Sequence, residues 1–232
     1  MILVALTILL AVFLILIILR ATSRLADLSD KHKNLPLSMT IFIAMWLIYL
    51  SILSTTEVLG NFTMPPRVPL LVIFPLLAVM IFTLFKKTTS TFLSITSVSW
   101  LIYIQGFRII VELIIWGAYR EGIVPLETTL EGYNFDIIIG LTAVPLAYYA
   151  KNDKVSPLVL MIWNIAGILI LGNTVRFFLS SVYFPELLGQ TSTMVTSDFV
   201  KLPYLLIPGM FMPLALYIHA LSIKQLLNLQ NK

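Results

Sequence analysis

Trp100–Ala118 reads WLIYIQGFRIIVELIIWGA, a run with the length and apolar content of a membrane-spanning helix that nevertheless carries Gln105, Arg108 and Glu112. A span needs about 20 mostly apolar residues. A charge near the bilayer centre is expensive unless it is paired or faces water. The three polar residues are spaced i, i+3, i+7, which places them on one helix face. Arg108 falls near the middle of the run. Glu112 stands one turn further on, at the i+4 spacing that permits an ion pair with Arg108.

The rest of the chain agrees with a membrane reading. Of its 232 residues 59% are hydrophobic and 11% charged, with a mean hydropathy of +0.99, against roughly 25% charged residues in soluble domains. Seven apolar segments are predicted as spans: Ile2–Leu19, Leu37–Val58, Val68–Phe85, Phe92–Ala118, Tyr133–Ala150, Pro157–Tyr183 and Leu202–Leu226. The expected fold is all-α: a polytopic membrane protein, residues 1–232 forming a single domain of seven transmembrane helices. The first segment lacks a basic leader and a small-residue cleavage site, and Arg20 and Arg24 follow it, so it reads as a retained helix. The connections between segments 1 and 2 and between 6 and 7 are expected to be the longest.

Lysine and arginine orient such a chain, because they concentrate in cytoplasmic loops. Arg20, Arg24, Lys31, Lys33, Lys86, Lys87, Lys151, Lys154, Lys224 and Lys232 fall on one side. Only Arg67, Arg120 and Lys201 fall on the other, together with Glu121, Glu127, Glu131, Glu186 and Asp198. The bias of ten to three, repeated loop by loop, places the N-terminus outside and the C-terminus in the cytoplasm.

Other charges join those of the opening stretch. Asp136 lies in the first turn of the fifth segment, Asn173 and Arg176 share a face of the sixth, and Glu57 ends the second. All lie between mid-membrane and the outer surface. The inner half holds only Ser, Thr, Asn164 and, near the cytoplasmic end, His219, which reads as a hydrogen-bonded structural histidine. Charges dispersed over several helices but confined to one leaflet are what a cavity open to the outside requires. Two other readings stand beside it. One is a structural ion-pair network, in which an average polar contact between helices contributes about 0.6 kcal/mol. The other is a proton or ion path. Pro208, Gly209 and Pro213 predict a kink in the seventh segment. Trp46-Leu47-Ile48-Tyr49 recurs as Trp100-Leu101-Ile102-Tyr103, a weak hint of an internal repeat.

Several chemistries are excluded. The chain has no cysteine, hence no disulfide or thiolate, and with only His32 and His219 it offers no multi-histidine metal site. Neither a Gly-rich phosphate loop nor a Ser-His-Asp set is present. Retinal proteins of the microbial type need a lysine in the middle of the seventh helix, where this chain has none. The seven-span zinc hydrolases need more histidines. The paired proline-glutamine signature of three-helix-repeat sugar transporters is missing. No cofactor, metal, catalytic residue or nucleic-acid partner is expected. The partners expected are the lipid bilayer and a small-molecule or lipid ligand.

Gln105-Gly106-Phe107-Arg108-Ile109-Ile110-Val111-Glu112 resembles the Q-x-F-R-x-x-V-E signature of an uncharacterised family of bacterial seven-span membrane proteins. Glu131-Gly132-Tyr133-Asn134-Phe135-Asp136, followed by Gly140-Leu141-Thr142-Ala143, resembles the same family's E-G-x-N-F-D and G-L-T-A blocks. The resemblance implies a bacterial cytoplasmic-membrane protein and implies no activity.

The functional expectation is therefore an outward-facing polar pocket that binds, senses or carries a small polar or amphipathic ligand, an anionic one included. Its ligand-binding residues are Gln105, Arg108, Glu112, Asp136, Asn173, Arg176 and Glu57, with Arg108 and Arg176 on the anion and the carboxylates holding the arginines. One alternative is an intramembrane enzyme on a lipid-like substrate with Glu112 or Asp136 as acid or base. The other is a structural or partner subunit whose charges only pack helices.

Overall fold

The computed structural model describes residues 1–188 and 195–230. All seven apolar segments are helical, and among the described residues there is no strand. The helices are α1 (Ile2–Leu28), α2 (Leu35–Thr55), α3 (Pro69–Leu84), α4 (Lys87–Ile95), α5 (Val98–Arg120), α6 (Asp136–Lys151) and α7 (Pro157–Tyr183). The last is α8, in which a π-helical turn, Ile207–Phe211, runs into Met212–Gln230. Five stretches are long and apolar enough to cross a membrane: Ile2–Leu28, Asp30–Thr55, Val98–Arg120, Pro157–Tyr183 and Ile207–Leu229. The pair α3 and α4, bent by 75°, makes a sixth if counted as one span. The chain is thus built as a multi-pass membrane protein. α6, with 16 residues, reaches only about 24 Å at 1.5 Å per residue, short of the roughly 30 Å hydrocarbon layer.

Element ends depart from expectation in three places. α1 continues past Arg20 and Arg24 to Leu28, so the connection to α2 shrinks to a single 3-10 turn, Asp30–His32, and is not among the longest. The fourth segment does not begin at Phe92: Phe92 belongs to α4, and the chain turns at Thr96 before Ser97 caps α5 through its hydroxyl. α2 ends at Thr55, which leaves Glu57 beyond it.

One end of the bundle gathers the N-terminus and, among the described residues, the connections 56–68, 121–135, 184–188 and 195–206. Leu202 N–H donates to Ser54 Oγ at 2.7 Å, Thr196 N–H to Ile123 O at 2.9 Å and Tyr204 Oη to Glu121 Oε2 at 3.0 Å. Gly117 packs against the Leu3 side chain, which a Cβ there would push aside. The opposite end, which carries most of the basic residues, is closed by Gln225, whose amide donates to Leu93 O and Thr96 O.

The prolines explain how α2 is held. A proline has no N–H, so the carbonyl four residues before it loses its helical donor. Pro75 orphans Leu71 O and Pro213 orphans Gly209 O. Tyr49 Oη donates to the first at 2.9 Å and Trp46 Nε1 to the second at 2.8 Å. An unsatisfied carbonyl in hydrocarbon costs several kcal/mol, so these two aromatics tie α2 to α3 and α8. The kink expected from Pro208, Gly209 and Pro213 is realised as the π-helical turn. Trp100 and Tyr103, the matching pair on α5, are exposed and make no such bonds among the described residues, so the repeated tetrapeptide plays two different parts.

Candidate functional site

Arg108 opens the second half of α5, after a 3-10 turn at Gln105–Phe107 that tightens the helix. Its guanidinium is 1% exposed, one residue from the midpoint of Val98–Arg120. Asp136 grips it with both oxygens. Arg108 Nε donates to Asp136 Oδ2 at 2.7 Å, and Arg108 Nη2 donates to Asp136 Oδ1. Such a two-pronged bond is the strongest ion pair protein side chains make. Asp136 is also the first residue of α6, where the helix dipole favours a negative charge.

The third edge of the guanidinium meets His219 of α8, with Arg108 Nη1 and His219 Nε2 2.8 Å apart. Arginine has no acceptor, so Nε2 accepts and the imidazole carries its proton on Nδ1. Nδ1–H donates to Asn164 Oδ1 at 2.9 Å, and Asn164 Nδ2 donates to Ser222 Oγ at 3.0 Å. Trp163 stands edge-on to the imidazole, ring centroids 5.4 Å apart. Gly167 lies directly beneath the ring, where any Cβ would overlap it.

Glu112 does not pair with Arg108. Its two oxygens accept from Asn134 Nδ2 at 2.8 and 2.9 Å, and no cation lies within salt-bridge distance among the described residues. Asn134 is the hub of this side. Its Oδ1 accepts from Asp136 N–H at 3.1 Å and from Thr174 Oγ1 at 2.6 Å, and its amide also donates to Thr128 O at 3.1 Å. The bond to Asp136 N–H closes the turn that starts α6, which is why the helix begins at Asp136 and not at Tyr133.

The expected site residues therefore divide. Arg108, Glu112 and Asp136 come together and line a cavity of about 100 Å³. Its other walls are mostly apolar, Phe107, Ile115, Phe178, Phe199, Val200 and Phe211 among them, with Phe62 and Val195 from the connections at the N-terminal end, and Thr174 and Tyr183 adding hydroxyls. Gln105 is buried beside the group, its amide donating to Ala215 O at 3.0 Å and its Oε1 without a partner among the described residues, but it does not line the cavity. Arg176 and Asn173 do not join. Arg176 is exposed, donates to Asn173 Oδ1 at 3.2 Å and lies 4.2 Å from the centre of the Phe177 ring. Asn173 donates to Tyr133 O at 2.9 Å. The face of α7 turned to the cavity is that of Thr174, and two residues on, at 100° per residue, Arg176 is on the opposite side. Glu57 is exposed and does not line the cavity.

Asn134, Thr174 and His219 belong to the group although they were not among the expected site residues. Asn134 had a signal, since it stands two residues before Asp136 in a stretch too polar for hydrocarbon. His219 had none beyond being an intramembrane histidine.

The chain matches no family model, no curated protein and no solved structure with which it was compared.

Proposed function

We propose that the protein binds a small amphipathic molecule in the cavity above Arg108, with the molecule's apolar part against the phenylalanines and a hydrogen-bond donor directed at Glu112. The observation that carries this reading is the unequal treatment of the two buried carboxylates. Asp136 is matched by a guanidinium, whereas Glu112 has only a neutral amide. Burying an ionised carboxylate without a cation is costly, and with both carboxylates ionised the group carries one net negative charge. A donor head, an ammonium above all, answers that imbalance. An anionic head is less well served, because the one arginine at the cavity already holds Asp136 and His219. The cavity has room for a few heavy atoms and not for a drug-sized molecule.

The placement that goes with this function is seven spans, α3 and α6 included, in a bacterial cytoplasmic membrane, in line with the family resemblance of the Gln105–Glu112 block. The N-terminus is outside, so the cavity opens outward. Orientation has its own test. The chain lacks cysteine, so single cysteines report cleanly. A membrane-impermeant thiol label should modify Leu126→Cys in intact cells and leave Ser29→Cys and Asn152→Cys unmodified until the membrane is opened. The reverse pattern overturns the orientation.

The ligand reading is tested by thermal stability of the purified protein against small amines, alcohols and carboxylates. A ligand at a hundredfold excess over its Kd stabilises by about 2.7 kcal/mol. The shift from a cationic compound should vanish in Glu112→Gln and persist in Arg176→Gln. Persistence in Glu112→Gln removes the carboxylate from the site. A second reading, that the charges serve packing alone, draws on the near-complete pairing of Arg108. It is upheld if no compound shifts the wild type.

A further inference from the structure

A second cavity, independent of the first, lies in the half of the bundle that bears the basic residues. It is a crevice of about 580 Å³ between α1, α2, α3 and the bent α4, floored by α5 and α8. Its walls are apolar along most of their length, from Leu14 and Ile18 past Phe42 and Trp46 to Met80 and Leu214. Its hydroxyl and amine groups gather at one end: Thr22, Ser38, Thr83, Lys86, Thr88 and Thr89 from the α1–α4 stretch, with the Tyr217 hydroxyl of α8 bonded to Thr83. Each of the first six stands near the end of its helix that faces the α1–α2 and α3–α4 turns. The crevice is thus apolar at depth and polar at one mouth.

The charge at that mouth is one-sided. The last turns of α1 and the α1–α2 and α3–α4 turns together carry Arg20, Arg24, Lys31, Lys33, Lys86 and Lys87 against Asp27 and Asp30. Lys86 is exposed. The contact that it makes is with the Phe82 ring, 3.9 Å from Nζ to the ring centre, which leaves its three N–H donors for an acceptor. The 75° bend between α3 and α4 brings Lys86, Thr88 and Thr89 over the end of the crevice.

We propose that this crevice holds an acyl chain of an anionic phospholipid from the surrounding leaflet, with the lipid phosphate at Lys86. The match is of two kinds. The acyl chain is apolar, like the walls from Leu14 and Ile18 to Met80 and Leu214. The phosphate is an anion at the place where a lysine without a carboxylate partner closes the slot, and basic pockets between membrane helices favour anionic headgroups. The inference rests on the membrane placement alone and not on the ligand at Glu112.

The test is native mass spectrometry of the whole protein released from neutral detergent containing equal amounts of phosphatidylglycerol and phosphatidylcholine with identical chains. The expected result is one retained lipid, predominantly phosphatidylglycerol. Lys86→Gln should cut the preference about fivefold, the weight of one lysine at an anionic surface. Its side chain is exposed, so the variant keeps the fold. Ala21→Trp, which fills the slot from α1, should abolish retention of either lipid. If that variant does not fold, Ser38→Trp closes the slot from the exposed edge of α2 and carries the same expectation. Glycerol phosphate, the headgroup without chains, should not compete. Equal retention of the two lipids, an unchanged preference in Lys86→Gln, retention in the filled slot, or competition by glycerol phosphate each overturns the proposal.

Discussion

Arg108→Leu is expected to cost about 3–5 kcal/mol of folding stability, the loss seen when one partner of a buried ion pair is removed. The size follows from what the side chain holds. It satisfies both oxygens of Asp136 and the Nε2 acceptor of His219 at 1% exposure, so its removal strands a carboxylate and an imidazole together. Asp136→Leu in the same background should recover much of the loss, because replacing both members of a buried pair by apolar groups is often close to neutral. Glu112→Leu should recover less, since Asn134, not Arg108, bonds Glu112. Unfolding in mixed micelles, followed by circular dichroism for the single and double variants, measures both couplings; contacting residues couple by about 0.5–3 kcal/mol. Strict additivity between Arg108 and Asp136 contradicts the pairing.

Gly167→Ala should be nearly as damaging, at about 2–5 kcal/mol, although it adds one methyl group. A Cβ there overlaps the His219 ring, and overpacking a filled core costs about 1–3 kcal/mol. If the ring moves aside it also loses its bonds to Arg108 and Asn164, where a hydrogen bond to a charged partner is worth about 1.5–3 kcal/mol. Gly172→Ala is the matched control on the same helix. Nothing lies within 4 Å of its Cβ position, so the usual helix gain of about 0.5–1 kcal/mol is expected. In Gly167→Ala with His219→Ala the added methyl enters the space the ring leaves, and the double change should cost less than the sum of the two. A neutral Gly167→Ala contradicts the placement of His219.

Much of this was legible in the residues. Hydropathy located the five stretches long and apolar enough to cross a membrane, because such a stretch must be apolar over its whole length whatever it packs against. The ends were less legible, since they depend on where polar groups find partners. Arg20 and Arg24 are exposed on the last turns of α1 and did not stop it. The helix α6 starts at Asp136 and not at Tyr133: Asn134 Oδ1 accepts from Asp136 N–H and holds the chain in a turn just before the helix. Helix spacing placed Arg108 and Glu112 on one face and correctly marked the face as polar. It did not rank a neighbour four residues away against Asp136, 28 residues on, or His219, 111 residues on. Arg176 stands apart from the group for a related reason. Its depth in α7 agreed with Arg108, but depth along an axis says nothing of rotation about it. The buried positions Asn164, Gly167, Leu171 and Thr174 define the inward face, and Arg176 is not on it.

The ligand at Glu112 requires that the cavity above Arg108 be a binding site and not a packing fault. An experimental density map of the protein purified in native lipid, with bound small molecules identified by mass spectrometry, addresses it directly. Non-protein density is expected between Phe178, Phe199 and Phe211, ending within hydrogen-bonding reach of the Glu112 carboxylate. A cavity closed by its own side chains, with Glu112 bonded to Asn134 and nothing else, would contradict it.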